Sequence, residues 1–307
     1  MDTLYIITPA YNAEKYIDTT IRSVVEQKCG FRIVYHVQDG CSTDGTQEIL
    51  HAWDEILRNN PQVTFSYSSE PDTGMYDAIQ KAVTFLSPPA EAYFTWINAD
   101  DILCSGALAA LEAVAAVTQV DWVYGRVSQI DAGGAVLNEG SALYPQQLVA
   151  AGLADGQLWS CMQQEGMFFR KRLWDAAGGA NTSLRLAGDW DLWRRMAGHA
   201  APFFYDVPLG RFRMHPDQLT SNPERYFEEI DAVMPFSLRQ AAMRRWSFTS
   251  FEKVPVICYN GDIQYRGVPI KHRCRCALTS LGMHALVRMT QTGLGCWHKL
   301  AHGQKTE

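Results

Sequence analysis

The 307-residue chain has no stretch of ~18 uninterrupted apolar residues, the length a helix needs to cross a bilayer. Its most apolar helix candidate, residues 107–117, is too short and carries Glu112. The opening Met1-Asp2-Thr3-Leu4-Tyr5-Ile6-Ile7 lacks the basic start of a secretory signal and turns strand-like within three residues, so a cytosolic protein with eight thiols is expected. G-x-G-x-x-G and G-x-x-x-x-G-K-[ST] are both missing after the first apolar run, which excludes the common dinucleotide and P-loop enzymes. His272, Cys274, Cys276, Cys296 and His298 lack the C-x₂-C spacing of a zinc knuckle, and neither repeats nor low-complexity tracts occur. Basic residues are scarce over most of the chain. Eleven of the 27 Lys and Arg fall in residues 239–307 against three acids, a net +8 that leaves −14 for residues 1–238. An acidic main body speaks against a nucleic-acid partner.

What the chain does have is an alternation of β-branched or aromatic runs with segments of helical period. Strands are expected over residues 4–8, 31–38, 63–69, 93–97 and 122–127. Between them Ile17, Ile21, Val24 and Val25, then Ile49, Trp53, Ile56 and Leu57, then Met75, Ile79, Val83 and Leu86 recur at helical spacing. Residues 107–117, 171–177 and 184–197 read as further helices. Right-handed crossovers make this an α/β doubly wound, mostly parallel sheet, in which ligands bind beyond the carboxyl ends of the strands. Thr8-Pro9-Ala10-Tyr11-Asn12, Asp39-Gly40, Glu70-Pro71-Asp72 and Asn98-Ala99-Asp100-Asp101 all fall at such ends.

Hard oxygen ligands in the Asn98 to Asp101 run suit Mg²⁺ or Mn²⁺ on a diphosphate; a helix cap from Asp101 or Ser105 is the other reading. Residues 42–46 read as a turn and cap, whereas Asp39 ends a strand where a carboxylate can accept from a base or ribose. Asp189 and Asp191 stand two apart at a helix start, a place that suits either a cap or a general base.

Taken in order, these segments, with Thr73-Gly74-Met75-Tyr76-Asp77-Ala78, Trp122-Val123-Tyr124-Gly125 and Gln164 through Phe168-Phe169-Arg170 to Asp189-Trp190-Asp191-Leu192-Trp193, resemble the family 2 glycosyltransferases of the GT-A fold. The likeness covers residues 1–230 and is nearest to bacterial members that build surface polysaccharides. It implies inverting sugar transfer from a nucleoside diphosphate sugar, a UDP-sugar by family habit, to a glycan or lipid-linked hydroxyl. By that resemblance Thr8, Pro9, Ala10, Tyr11, Asn12, Asp39, Asp72, Asn98, Ala99 and Arg213 surround the donor, with Asp39 facing the base and Asn98 the ribose. Asp100 and His215 hold the metal, Asp189 is the catalytic base, and Gln164, Glu165, Trp190 and Asp191 line the acceptor side.

Asn98 stands where many relatives carry Asp, and Gln80 where many carry Asn, which leaves Asp77 and Lys81 without an assigned role. The reading divides the chain into a catalytic domain, residues 1–238, and a basic helical extension, residues 239–307. Leu278, Leu281, Ala285 and Met289 mark a helix there, either packed on the catalytic domain or drawn by the +8 charge to an anionic membrane at the inner face of the cell. A non-catalytic sugar-nucleotide-binding subunit is the rival reading.

Overall fold

The computed structural model describes residues 3–218, 223–249 and 252–268. In chain order it runs β1 (Thr3–Ala10), α1 (Ile17–Val25), β2 (Arg32–Asp39), α2 (Thr46–Leu57), β3 (Val63–Ser69), α3 (Met75–Leu86), β4 (Tyr93–Trp96), β5 (Ile102–Leu103), α4 (Ala107–Val117), β6 (Trp122–Ile130) and β7 (Val136–Gly140). There follow α5 (Gln146–Ala150), a 3₁₀ turn (Gln164–Gly166), β8 (Met167–Arg170), α6 (Lys171–Ala176), α7 (Gly188–Met196) and β9 (Phe203–Arg213). The described chain ends with α8 (Pro223–Val233), α9 (Phe236–Thr249), β10 (Lys253–Ile257) and β11 (Ile263–Gly267).

One sheet of order β11-β10-β9-β6-β8-β4-β1-β2-β3 runs through the molecule. The β4-β1-β2-β3 half is parallel. Its strands are covered on both faces by helices, so they read as near-continuous apolar runs. The helices turn the expected faces inward: α1 buries Ile17, Thr20, Ile21 and Val24, and α3 buries Tyr76, Ala78, Ile79, Ala82 and Val83. In α2 the buried face is Leu50, Trp53 and Leu57, while Ile56 points to solvent at 66% exposure.

The second half is mixed. β8 lies antiparallel between β4 and β6 because it enters without a crossover helix, and β9 then pairs parallel with β6. Trp96 at the end of β4 stacks on Trp193 of α7 with ring centroids 5.4 Å apart, and Trp122 and Phe169 close the cluster. Offset aromatic pairs of this kind add about 0.5–1.5 kcal/mol each beyond their buried area. They fix α7, and so the position of Asp189, against the sheet.

Two expectations change. The boundary at residue 238 falls inside α9, whose Met243 and Trp246 join the main core with Val254 and Val256 of β10. Over 253–267 the chain is a strand pair, because the buried run Val254 to Ile257 extends the sheet beside Phe204 and Tyr205. Leu278, Leu281, Ala285 and Met289, with the His and Cys residues from His272 to His298, lie outside the described residues. No helix among the described residues is long and apolar enough to cross a membrane.

Candidate active site

The loops after β1 and β2 are laced together. Asn12, in the left-handed region at φ 47°, donates its N–H to Ser42 Oγ at 2.8 Å and accepts the Thr43 N–H on Oδ1 at 2.9 Å. Ala13 donates to Thr46 Oγ1, and Glu14 accepts the Gly45 N–H. Asp39 is the staple beneath them. Its Oδ1 accepts from Ser42 Oγ at 2.5 Å, and its Oδ2 accepts from the Ser42 N–H at 3.0 Å and Ser69 Oγ at 2.6 Å. Asp39, expected to face a base, has no exposed surface and three protein donors. Thr8 is likewise enclosed, bonded to Tyr35 Oη at 2.9 Å, and Pro9 and Ala10 are buried beside it. The groups that do border this edge are Tyr11, 65% exposed, Gly40 and Asp72. Asp72 accepts the Gly74 N–H on Oδ1, and its Oδ2 crosses Gly40 so closely that a Cβ there would lie 2.5 Å away.

The second cluster joins the ends of β4 and β9. His215 Nε2 and Asp100 Oδ2 are 2.8 Å apart, and His215 Nδ1 is buried without a partner among the described residues. Arg213, expected at the donor, is a strut. Its Nε donates to the Asp100 carbonyl at 2.7 Å, its Nη1 to the carbonyls of Asp131 and Ala132, and its guanidinium lies 4.7 Å from the Tyr16 ring. Asp101 accepts the Arg213 N–H and the Asn98 side-chain N–H, which is why it does not cap α4; Gly106 holds that position without any side-chain bond. Thr20 Oγ, unsuspected from sequence, bonds the carbonyls of Ala99 and Asp101 and holds this turn in place. Asn98 Oδ1 is buried without a partner among the described residues.

The third cluster holds Asp189. Its Oδ1 accepts the Trp190 N–H at 2.7 Å and the Tyr76 hydroxyl at 3.2 Å. Burial pushes its carboxyl up from 3.8 to about 6. Tyr76 is in the first turn of α3, so the contact places Asp189 at the carboxyl edge of the sheet. Gln164 and Glu165, 5% and 4% exposed, stand between the clusters with both Gln164 amide atoms and Glu165 Oε2 unpaired among the described residues. Burial and the charges of Glu165 and Asp100 hold Asp101 well above the usual carboxylate range, and burial with the charges of Asp189 and Asp100 raises Glu165 to about 7.

Asp191, expected on the acceptor side, is enclosed by its own helix. It is 2% exposed and paired at 2.9 Å with both Arg194 and Arg195 of its own helix. Trp190 is also enclosed, its Nε1 donating to the Gly152 carbonyl at 3.1 Å and its ring packed with Ala187 and Ile230. Asp77 accepts the Thr73 N–H and pairs with Lys81, so both close the start of α3.

Gly210 lets β9 pass the 3₁₀ turn, because a Cβ there would lie 2.2 Å from the Glu165 carbonyl oxygen. Gly210→Ala is therefore expected to destabilise the fold by about 1–3 kcal/mol. An unchanged denaturant midpoint would contradict that contact.

The model of the family described as Glycosyl transferase family 2 matches residues 5–177, more than half of the chain. The chain is 34% identical over 96 residues to the putative teichuronic acid biosynthesis glycosyltransferase TuaG of Bacillus subtilis. That match spans 31% of this chain and about a third, 35%, of that protein. Among solved structures, S. aureus TarS 1–349 in complex with UDP-GlcNAc aligns with a TM-score of 0.56 at 16% identity, over 94% of this chain and 74% of that one. The UDP complex of the same protein aligns at 0.54, 16% identical, over 94% and 73%. This second likeness is one of fold, and it is the GT-A fold. By the family match across the edge that carries Asp72, Asp100 and Glu165, the chain belongs to glycosyl transferase family 2.

Proposed function

We propose that the protein moves a sugar from a UDP-sugar to a hydroxyl of a glycan or lipid-linked acceptor during cell-envelope polysaccharide synthesis, with inversion at the anomeric carbon. One observation carries the reading. Asp100 meets His215 at 2.8 Å where β4 and β9 end, and Tyr76 of the first turn of α3 holds Asp189 at 3.2 Å, so a hard-ligand pair and a buried carboxylate stand at the ends of elements of one sheet. TuaG and the nucleotide-bound TarS support the substrate class.

Asp189 takes the proton from the acceptor hydroxyl as that oxygen bonds to the anomeric carbon and the bond to the diphosphate breaks. Tyr11, Gly40 and Asp72 border the nucleoside. The residues present fit a divalent cation: Asp100 and His215 offer one carboxylate and one imidazole, and Mg²⁺ or Mn²⁺ takes few protein ligands when phosphates and water complete its shell. When bound, the cation stabilises the charge that develops on the leaving diphosphate.

The test is thermal unfolding with UDP, GDP, dTDP and CMP, each with and without Mn²⁺. At about 100 times Kd, UDP with Mn²⁺ is expected to stabilise by about 2.7 kcal/mol, and Asp100→Ala to lose the Mn²⁺-dependent part. No response to any nucleotide would count against both the transferase and a sugar-nucleotide-binding subunit, and a response to UDP without release of UDP from UDP-GlcNAc would favour the inert subunit.

A further inference from the structure

The stretch before Asp189 has no cap of its own: Ala187 sits at the N-cap of α7 with no side chain to bond the backbone. A carboxylate from another helix does that work. Glu229 of α8 accepts the Arg185 N–H on both oxygens, at 3.0 and 3.1 Å, and the N–H groups of Leu186 and Ala187 at 2.8 and 2.9 Å. Three successive N–H groups turned to one side form an anion-binding cradle, and Glu229 fills it. These bonds also explain why α7 starts at Gly188 and not at Leu184, as the periodicity suggests.

Across the same segment stands Tyr76, whose hydroxyl lies 3.2 Å from both the Leu186 carbonyl and Asp189 Oδ1. Gly188 rests on the Tyr76 ring so closely that a Cβ would lie 2.6 Å from it. Residues 185–189 are thus pinned by α3 on one side and α8 on the other. α8 is in turn tied to α9, because Arg239 Nη2 donates to Asp231 at 2.5 Å and Arg239 Nε to the Met234 carbonyl.

We propose that Glu229 is the positioning residue of the base, holding the backbone that presents Asp189 and adding negative charge beside it. The proposal rests on Asp189 being that base. The titratable groups facing Asp189 are Tyr76 of α3, Tyr226 and Glu229 of α8, and Cys161 and Glu165 of the segment before β8. The tyrosines and Cys161 are held neutral by burial, and burial raises Glu165 to about 7, above the Asp189 value, so Glu229 is the group whose charge pushes the Asp189 carboxyl up.

Carboxyl-carbon NMR of aspartate-labelled protein tests this, with the Asp189 resonance identified by its loss in Asp189→Asn. The midpoint near 6 is expected to fall by roughly half a pH unit or more in Glu229→Gln, which keeps the shape and removes the charge. Glu228→Gln, one residue away on the exposed side of α8, is expected to leave it in place. Hydrogen exchange at the Leu186 and Ala187 amides is expected to quicken about tenfold or more in Glu229→Gln. The acid limb of UDP-GlcNAc hydrolysis should move with the NMR midpoint. An unmoved midpoint and unchanged exchange would overturn the positioning role. Full turnover in Asp189→Asn would instead remove the base assignment, and the two failures are read from different variants.

Discussion

Asp189→Asn is expected to lower sugar transfer by about 10²–10⁴-fold while leaving UDP binding intact. Asn keeps the bonds from the Trp190 N–H and the Tyr76 hydroxyl, so the segment stays in place and what is lost is the proton acceptor. The native enzyme should lose kcat/KM as pH falls through about 6, because below that value the raised carboxyl is protonated. The stability sign runs the other way. A carboxyl whose folded pKa lies above its unfolded value stabilises the fold below about pH 4, and that contribution is lost as pH rises through about 6. Asn cannot ionise, so the Tm of Asp189→Asn at pH 7–8 should equal or exceed that of the native chain. Loss of turnover together with loss of Tm would point to a structural role for Asp189 and sink the base assignment.

Arg239→Met is expected to cost about 3–5 kcal/mol in denaturant unfolding, the penalty for leaving a buried charge without its partner. Arg239 has no exposed surface, and its Nη1 is paired with Asp155, which is also fully buried. Asp155 Oδ1 further accepts the N–H groups of Gln157 and Leu158, so it holds the segment that leads to Gln164 and Glu165. Burial presses the Arg239 guanidinium down to about 10, still charged at neutral pH. Pairing the change with Asp155→Asn removes both charges and keeps an acceptor for those amides. It should recover more than half of the loss. A single-variant cost under about 1 kcal/mol would mean that the pair is not a buried tie.

Some of this architecture was open to sequence reading and some was not. The parallel half was legible because each strand and helix there carries its own period and each is followed by a polar turn. β8 and the β10–β11 pair were not, since Met167 to Arg170 and Val254 to Ile257 are short apolar runs whose partners lie far along the chain. The functional residues divide the same way. Asp100 and Asp189 stood out by place and type and His215 by the family resemblance, and the structure brings Asp100 and His215 into contact. Thr20, Tyr76 and Glu229 escaped, for a threonine on an apolar helix face, a buried tyrosine and one of two adjacent glutamates look ordinary in sequence. Tyr76 alone carried a signal, its place in the Thr73 to Ala78 run.

By itself the sequence determined the fold class, the edge of the sheet where the candidate residues gather and the residue types available there. Only the tertiary structure decided which of paired candidates is free. Asp39 and Asp72 both follow strands, yet Ser42 and Ser69 consume the first and leave the second at the rim. Asp189 and Asp191 share one helix turn, yet Arg194 and Arg195 neutralise one while burial raises the proton affinity of the other against the hydrogen bonds from Trp190 and Tyr76. A carboxylate's role depends on its donors and its desolvation, and both come from residues tens of positions away that only folding brings near.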